Sequence, residues 1–296
     1  MNLKQLHYFV TIVEEGTING AAKKLFVSQP PLSAQIKLLE DEFGCILFRR
    51  GQRQIQLTDA GKKLYDKATV LLEISRITQE EMRECAAEEA GTIRIGIVSS
   101  VVCSMGTAWI ADFMKQHPGV RFEVYEANTY ELIDKIRSDI LHIAVIRTPY
   151  TAMDMEIKPL KSEALVSIGL PSLFPDSRAT VSLKDLSALP IILYRRWEKV
   201  IKSQFENARI PVYFKCVCDD ARTLTALAGQ GAGIGLVPAS VTDMLTDSEI
   251  ICKPIEDCFI ESRIDLIYKE NTYLPDCVTE FTEYLNQKFL TYPGKK

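Results

Sequence analysis

The chain has 296 residues, 47% of them hydrophobic and 25% charged, which is more than one ordinary core holds and indicates two or three folded domains. That composition excludes long disorder, collagen-like repeats and mucin-like stalks, and there is no run of apolar residues long enough to span a membrane. The net charge of −4 argues against a nucleic-acid binder when taken whole, but Met1 to Lys67 carries ten Lys/Arg against seven Asp/Glu (+3), and the remainder 25 against 32 (−7).

The opening Met1-Asn2-Leu3-Lys4-Gln5-Leu6-His7 goes straight into a helical pattern without a leader, so a cytoplasmic location is expected. Leu3, Leu6, Val10 and Val13 mark one face of a first helix that Gly16 ends. Thr17 caps a second helix running through Ala21-Ala22 to Phe26. After Val27, Ser28 reads as the cap of a third helix with Pro30 and Pro31 in its first turn. Leu32, Ile36, Leu39 and Phe43 form its buried stripe.

At about 100° per residue, Pro30, Ser33, Ala34, Lys37 and Asp41 fall opposite that stripe, with Gln29 and Gln35 on its flanks. A merely solvated face would carry long Lys and Glu side chains. Here Gln29, Ser33 and Gln35 are short, uncharged hydrogen-bonding groups that suit base edges in a major groove, and the helix N-terminus suits phosphate. Ile46–Phe48 and Gln54–Leu57 then read as two strands joined across Arg49-Arg50-Gly51-Gln52-Arg53, a basic wing matched to phosphates or a narrow minor groove.

The ordered run Ala21-Ala22, Leu25, Val27-Ser28-Gln29-Pro30, Leu32-Ser33, Ile36, Leu39-Glu40, Phe43-Gly44, Leu47-Phe48, Arg50, Arg53, Leu57-Thr58 and Ala60-Gly61 closely resembles the LysR-type transcriptional regulators. The resemblance implies a winged helix-turn-helix in which Gln29, Pro30, Ser33 and Gln35 approach the major groove, with Ser28 and Lys37 beside them. It also implies that Arg50 and Arg53 approach the backbone or minor groove. Pro31 stands where alanine is commoner and Ala34 where a longer polar residue often stands, which bears on base preference but not on class.

From Thr58 to about Glu89 no proline occurs, and Leu64, Ala68, Leu71, Ser75, Thr78, Met82 and Cys85 recur at spacings of 4 and 3. This reads as a linker helix that pairs two subunits. The resemblance extends the pairing to a homotetramer, and a two-fold dimer implies a roughly palindromic operator. Gly91-Thr92 marks the next boundary.

Beyond it strands and helices alternate. Strands are expected at 93–98, 121–125, 143–146, 191–194, 213–217 and 234–237, and helices at 103–117, 129–138, 197–208, 220–229 and 275–290. Crossing strands near 160–168 and 260–269 divide this α/β part into two subdomains around a cleft, built on parallel sheets. It resembles the same family's effector-binding domain, which is similar to periplasmic solute-binding proteins. The expected organisation is a winged helix-turn-helix DNA-binding domain at 1–58, a linker helix at 59–90 and an effector-binding domain at 91–296. Within the last, subdomain I covers about 91–163 and 268–296 and subdomain II about 164–267.

Open α/β sheets bind ligands at the carboxyl ends of their strands. There stand Ser99-Ser100 with Cys103 just beyond, Asn128-Thr129, Arg147-Thr148 and Asp219-Asp220. Hydroxyls and carboxylates cap helices anyway, but Arg147 is not needed as a cap. Ser99, Ser100, Cys103, Thr129, Arg147 and Asp220 are the expected effector ligands, and the effector is expected to be a small carboxylate or similar anion.

Other signals carry less. Gly229–Gly235 contains no dinucleotide fingerprint and precedes a strand, so it reads as a turn. His7, His117 and His142 have no metal-ligand spacing, and no nucleophile–base array has a supporting motif; no metal, cofactor or enzymatic activity is expected. The eight cysteines read as reduced fillers. The expected partners are double-stranded promoter DNA, a small-molecule effector and further copies of the chain. Rival readings are a thiol redox sensor on the same architecture and a solute-binding module without DNA function.

Overall fold

The computed structural model describes residues 1–50, 55–87, 91–175, 177–245, 249–258 and 260–290. It divides into two compact units, Met1–Ala87 and Glu88–Lys296.

In the first unit, α1 (Leu3–Glu15) starts on a reciprocal capping box: Asn2 accepts the Gln5 N–H and Gln5 accepts the Asn2 N–H. Its buried face is Leu6, Phe9, Val10 and Ile12; Leu3 is half exposed, so the apolar stripe is turned from the expected one. α2 (Ile18–Lys24) is capped by the Thr17 hydroxyl as expected, but it stops before Phe26, which is almost fully exposed with a positive φ. α3 (Gln29–Phe43) buries Leu32, Ile36 and Leu39; Phe43 is 42% exposed and falls outside the predicted stripe.

Ser28 precedes α3 but accepts no capping hydrogen bond. The cause is chemical. A capping oxygen accepts from the second or third helical N–H, and those positions are Pro30 and Pro31, which have none. The same prolines remove two of the N–H groups on which the expected phosphate affinity of this helix end depended.

The hairpin pairs β1 (Phe48–Arg50) with β2 (Ile55–Leu57) in the register Phe48↔Leu57, two residues later than expected for the first strand. Ile46 and Leu47 instead receive the Thr58 hydroxyl on their carbonyls, and Glu40 accepts the Leu47 N–H. α4 (Asp59–Ala87) follows, with the Gly61 N–H on the Thr58 hydroxyl.

A Cβ at Gly61 would lie 2.2 Å from the Leu47 carbonyl oxygen and 2.9 Å from Leu57 Cδ2. Gly61→Ala is therefore expected to cost the first unit about 1–3 kcal/mol through overpacking. An unchanged melting transition would show that the wing root yields freely.

The second unit begins with β3 (Thr92–Ile97), α5 (Ser99–Val101), a π turn over Val102–Gly106, α6 (Thr107–Gln116), β4 (Arg121–Glu126), α7 (Thr129–Arg137) and β5 (Ile143–Arg147). It continues with β6 (Met155–Gly169), α8 (Leu183–Ser187), β7 (Ile191–Tyr194), α9 (Glu198–Asn207), β8 (Phe214–Cys218), α10 (Ala221–Gly229) and β9 (Ile234–Pro238). β10 (Ile251–Pro254), β11 (Glu261–Lys269) and α11 (Asp276–Leu290) complete it. The strand order is β4-β3-β5-β11-β6-β9-β7-β8, with β10 on β6.

β3 pairs in parallel with β4 and β5, and β7 with β8 and β9. The sheet as a whole is mixed rather than parallel, because β11 runs antiparallel to β5 and β6, and β6 antiparallel to β9 and β10. β6 and β11 link the two parallel groups, and their ladder slips register between Ile264 and Asp265.

Each parallel group has its own apolar core. Ile95, Ile97, Val145, Phe113 and Phe281 belong to the first; Ile192, Leu193, Leu236, Trp197 and Phe205 belong to the second. α11 returns to the first core through Val278, Phe281 and Leu285 at helical spacing. Ile264, Leu266 and Ile267 also pack there, so the return crossing falls before Ile264 rather than at 267.

Candidate nucleic-acid interface and ligand cleft

α3 is held by its inner face and leaves its outer face free. Ser28, Gln29, Pro30 and Lys37 are exposed, and Ser33 and Gln35 partly so. The Gln29 amide donates to the Ser33 hydroxyl at 2.9 Å, so one predicted reader already orients the other. Between this face and the hairpin lies a groove of about 720 Å³ whose lining includes Ser33, Lys37, Ile46 and Phe48. The Arg50 backbone pairs with Ile55 in the hairpin. Arg53 lies outside the described residues.

In the second unit, Ser99 and Ser100 lie in α5 rather than in a loop, because the Val101 and Val102 N–H groups bond to the Val98 carbonyl. Arg147, the last residue of β5, is fully buried. Its guanidinium reaches Glu163 on β6 (2.5 Å), Ser262 on β11 (2.7 Å), Ser100 (3.2 Å) and Ser240, just after β9 (3.2 Å). Glu163 also accepts the Ser240 N–H and hydroxyl. Burial pushes the Arg147 pKa down from its ordinary value and Glu163 pulls it back. Glu163 matches the charge of Arg147 and four of its five N–H groups have acceptors, so this expected effector residue also ties the strand groups together.

Arg196, two residues beyond β7, donates to the Arg147 carbonyl at 2.5 Å. Lys161 stands 3.7 Å from Glu163. Glu163 thus has two cationic partners among the described residues, Arg147 and Lys161, while Arg196 reaches the Arg147 backbone and meets no carboxylate among them.

A second cluster crosses the rim. Arg222 in α10 pairs with Glu126 at the end of β4 (2.6 Å) and with Asp220 (2.8 Å), which caps α10. Arg222 holds the Asp220 carboxyl below its usual range, with a further hydrogen bond from Ser99. Cys103, on the π turn, contacts Arg222, but burial raises its thiol above its ordinary pKa. Ser99, Cys103 and Asp220 thus come together, Ser100 joins Arg147, and Thr129 is buried at the start of α7.

Glu126, Glu163, Arg196, Arg222, Ser240 and Ser262 are site residues that strand-end reasoning missed. Glu126 and Arg196 stand at or just past strand ends, which is the signal that could have found them. Glu163 and Ser262 lie inside crossing strands, where spacing alone marks nothing.

Cys216 and Cys218 have their sulfurs 3.7 Å apart, and burial and the neighbouring thiol push Cys218 up to about 11. Burial also raises Cys252 and Cys258, so Cys218, Cys252 and Cys258 lack the depressed pKa of a peroxide sensor. Among the described residues no group of three or more metal-ligating side chains occurs.

The family model described as the bacterial regulatory helix-turn-helix protein, lysR family, matches residues 3–62, and the LysR substrate binding domain matches residues 86–290. The chain is 27% identical over 290 residues to the HTH-type transcriptional regulator BsdA of Bacillus subtilis, covering 96% of this chain and 99% of that one. It is 30% identical over 250 residues to the HTH-type transcriptional regulator BenM of Acinetobacter baylyi, covering 81% of each. Among solved structures it is similar to full-length CbnR complexed with its target DNA, with a TM-score of 0.81, 25% identity and 97% and 99% of the two chains covered.

Proposed function

Since the chain belongs to the LysR family of transcriptional regulators, with a DNA-binding helix-turn-helix and an effector-binding domain, we propose that α3 reads promoter DNA and that the cleft takes a small anionic metabolite. It is a regulator and not an enzyme, as its relatives' names agree. The observation that carries the anionic reading is Arg196, a strand-end cation with no carboxylate partner among the described residues, beside the matched pair of Arg147 and Glu163. An effector bound between the strand groups would change the equilibrium between two arrangements of the domain only as far as its affinity for them differs. The Glu126–Arg222 pair is the cross-cleft contact that such a ligand would compete with.

Pairing of two copies through α4 is supported by a shorter seam than the sequence indicates. Leu64 and Ala68 pack into the first unit's own core, leaving Leu71, Thr78, Met82 and Cys85 exposed along the helix. Such a seam fits a homodimer that completes a homotetramer through other contacts. Among the described residues no helix is long and apolar enough to cross a membrane, and a cytoplasmic site of action fits a DNA reader.

The test is fluorescence anisotropy on the promoter DNA beside the chain's own coding region. Gln29→Ala is expected to lose about 1–3 kcal/mol of discrimination against altered operators. Lys37→Ala is expected to weaken all sequences alike and lower the salt slope by about 1. If both variants bound as tightly and as selectively as the parent, α3 would not be the reader.

A further inference from the structure

Buried polar atoms with no hydrogen-bond partner among the described residues include Thr129 Oγ1 and Arg196 Nε. Both residues follow the carboxyl ends of strands, Thr129 at the start of α7 beyond β4 and Arg196 in the turn beyond β7. One strand belongs to each parallel group, so the two unpartnered groups follow strands of different groups.

Their neighbours are already satisfied. Asn128 accepts the Tyr130 and Glu131 N–H groups, so the Thr129 hydroxyl is not needed as a cap. Arg147 spends four of its five N–H donors on Glu163 and three serines, and its charge is already matched by that buried carboxylate. Arg196 differs: one terminal nitrogen donates to the Arg147 carbonyl, the guanidinium lies 5.9 Å from the Tyr194 ring centroid, and no carboxylate partners it among the described residues.

Resting on the anionic-effector reading, we propose that Arg196 and not Arg147 binds the effector's carboxylate, with Thr129 binding a second polar group of the same molecule. The ligand class is a small carboxylate bearing a hydroxyl, oxo or second carboxyl group. The guanidinium edge that carries Nε matches a carboxylate in two parallel hydrogen bonds, and a buried N–H without an acceptor is costly until one arrives. Because that Nε is occluded, the strand groups must part before a carboxylate reaches it. Binding and movement of the cleft then become a single event.

The experiment is a thermal-shift titration of the full chain with lactate, pyruvate and succinate at millimolar concentration, each against its amide. At least one carboxylate should raise the melting temperature while its amide does not. Arg196→Gln should weaken that carboxylate by roughly 10- to 100-fold, and Thr129→Val by severalfold. Each variant is referred to its own unliganded melting. If Arg196→Gln fails to fold, Arg196→Lys serves, because it keeps the charge but loses the fork and should still bind about tenfold more weakly.

A carboxylate shift undiminished in these Arg196 variants would sink the assignment while leaving an anionic cleft standing. No carboxylate shift in the parent, or equal shifts from the amides, would overturn the anionic reading itself and this inference with it.

Discussion

Replacing Arg147 by methionine is expected to destabilise the second unit by about 3–5 kcal/mol, the cost of leaving one partner of a buried ion pair behind. The Glu163 side chain is 5% exposed and would keep its carboxylate with only the Ser240 donors and a Lys161 that is 41% exposed. The serines at 100, 240 and 262 would lose their shared donor as well. The paired change Arg147→Met with Glu163→Leu removes both charges and should recover most of the loss, since a well-packed apolar replacement is often neutral. Urea unfolding, followed by a probe confined to the second unit, reads both variants. A single variant as stable as the parent, or a double variant worse than the single, would show that the pair does not hold the strand groups together.

Acid should weaken the same unit before ordinary carboxylates titrate. His142 is pressed to a pKa of about 3, by burial first and then by Arg94, whose guanidinium nitrogen lies 2.6 Å from His142 Nε2. Arginine offers only donors, so a protonated ring would set donor against donor.

The folded pKa is depressed, so the unfolded chain takes up a proton below about pH 6.5 that the folded chain refuses. The stability is fully present above that value and falls as pH drops toward 3, by about 1.4 kcal/mol per unit. Between pH 6.5 and 5 the loss is about 2 kcal/mol, and His142→Gln should flatten that stretch of the curve. A parent curve with no slope there would mean that the imidazole is solvated and the Arg94 contact is not held.

Much of the architecture was legible in the chain because its signals are local. The apolar spacing in α3, the alternating isoleucines of β3, the apolar run 143–146 of β5 and the glycine turn before β9 all report on near neighbours. What was missed depends on residues far apart in sequence. Glu163 meets Arg147 across 16 positions, and Ser262 meets it across 115. A lone arginine at a strand end therefore gives no sign in the sequence of the carboxylate that meets it.

The failed cap at Ser28 is a different kind of miss. Each rule was applied correctly, but the prolines that favour the helix start also remove the donors that the cap requires. The expectation of parallel sheets fell short for a third reason: alternating strands and helices predict parallel neighbours, but not that two crossing strands will pair antiparallel between them.

The slipped register between β6 and β11 has a mechanical consequence. A β6 of 15 residues, laddered to β11, makes the link between the two strand groups a stiff ribbon and not a pair of slack tethers. Ribbons resist stretching and sideways shear because their cross-links lie in the plane, but they twist and bend where an extra residue breaks the ladder. Any torsion the ribbon takes up is expected to concentrate where Leu160 interrupts the ladder opposite Ile264, within the first group's core.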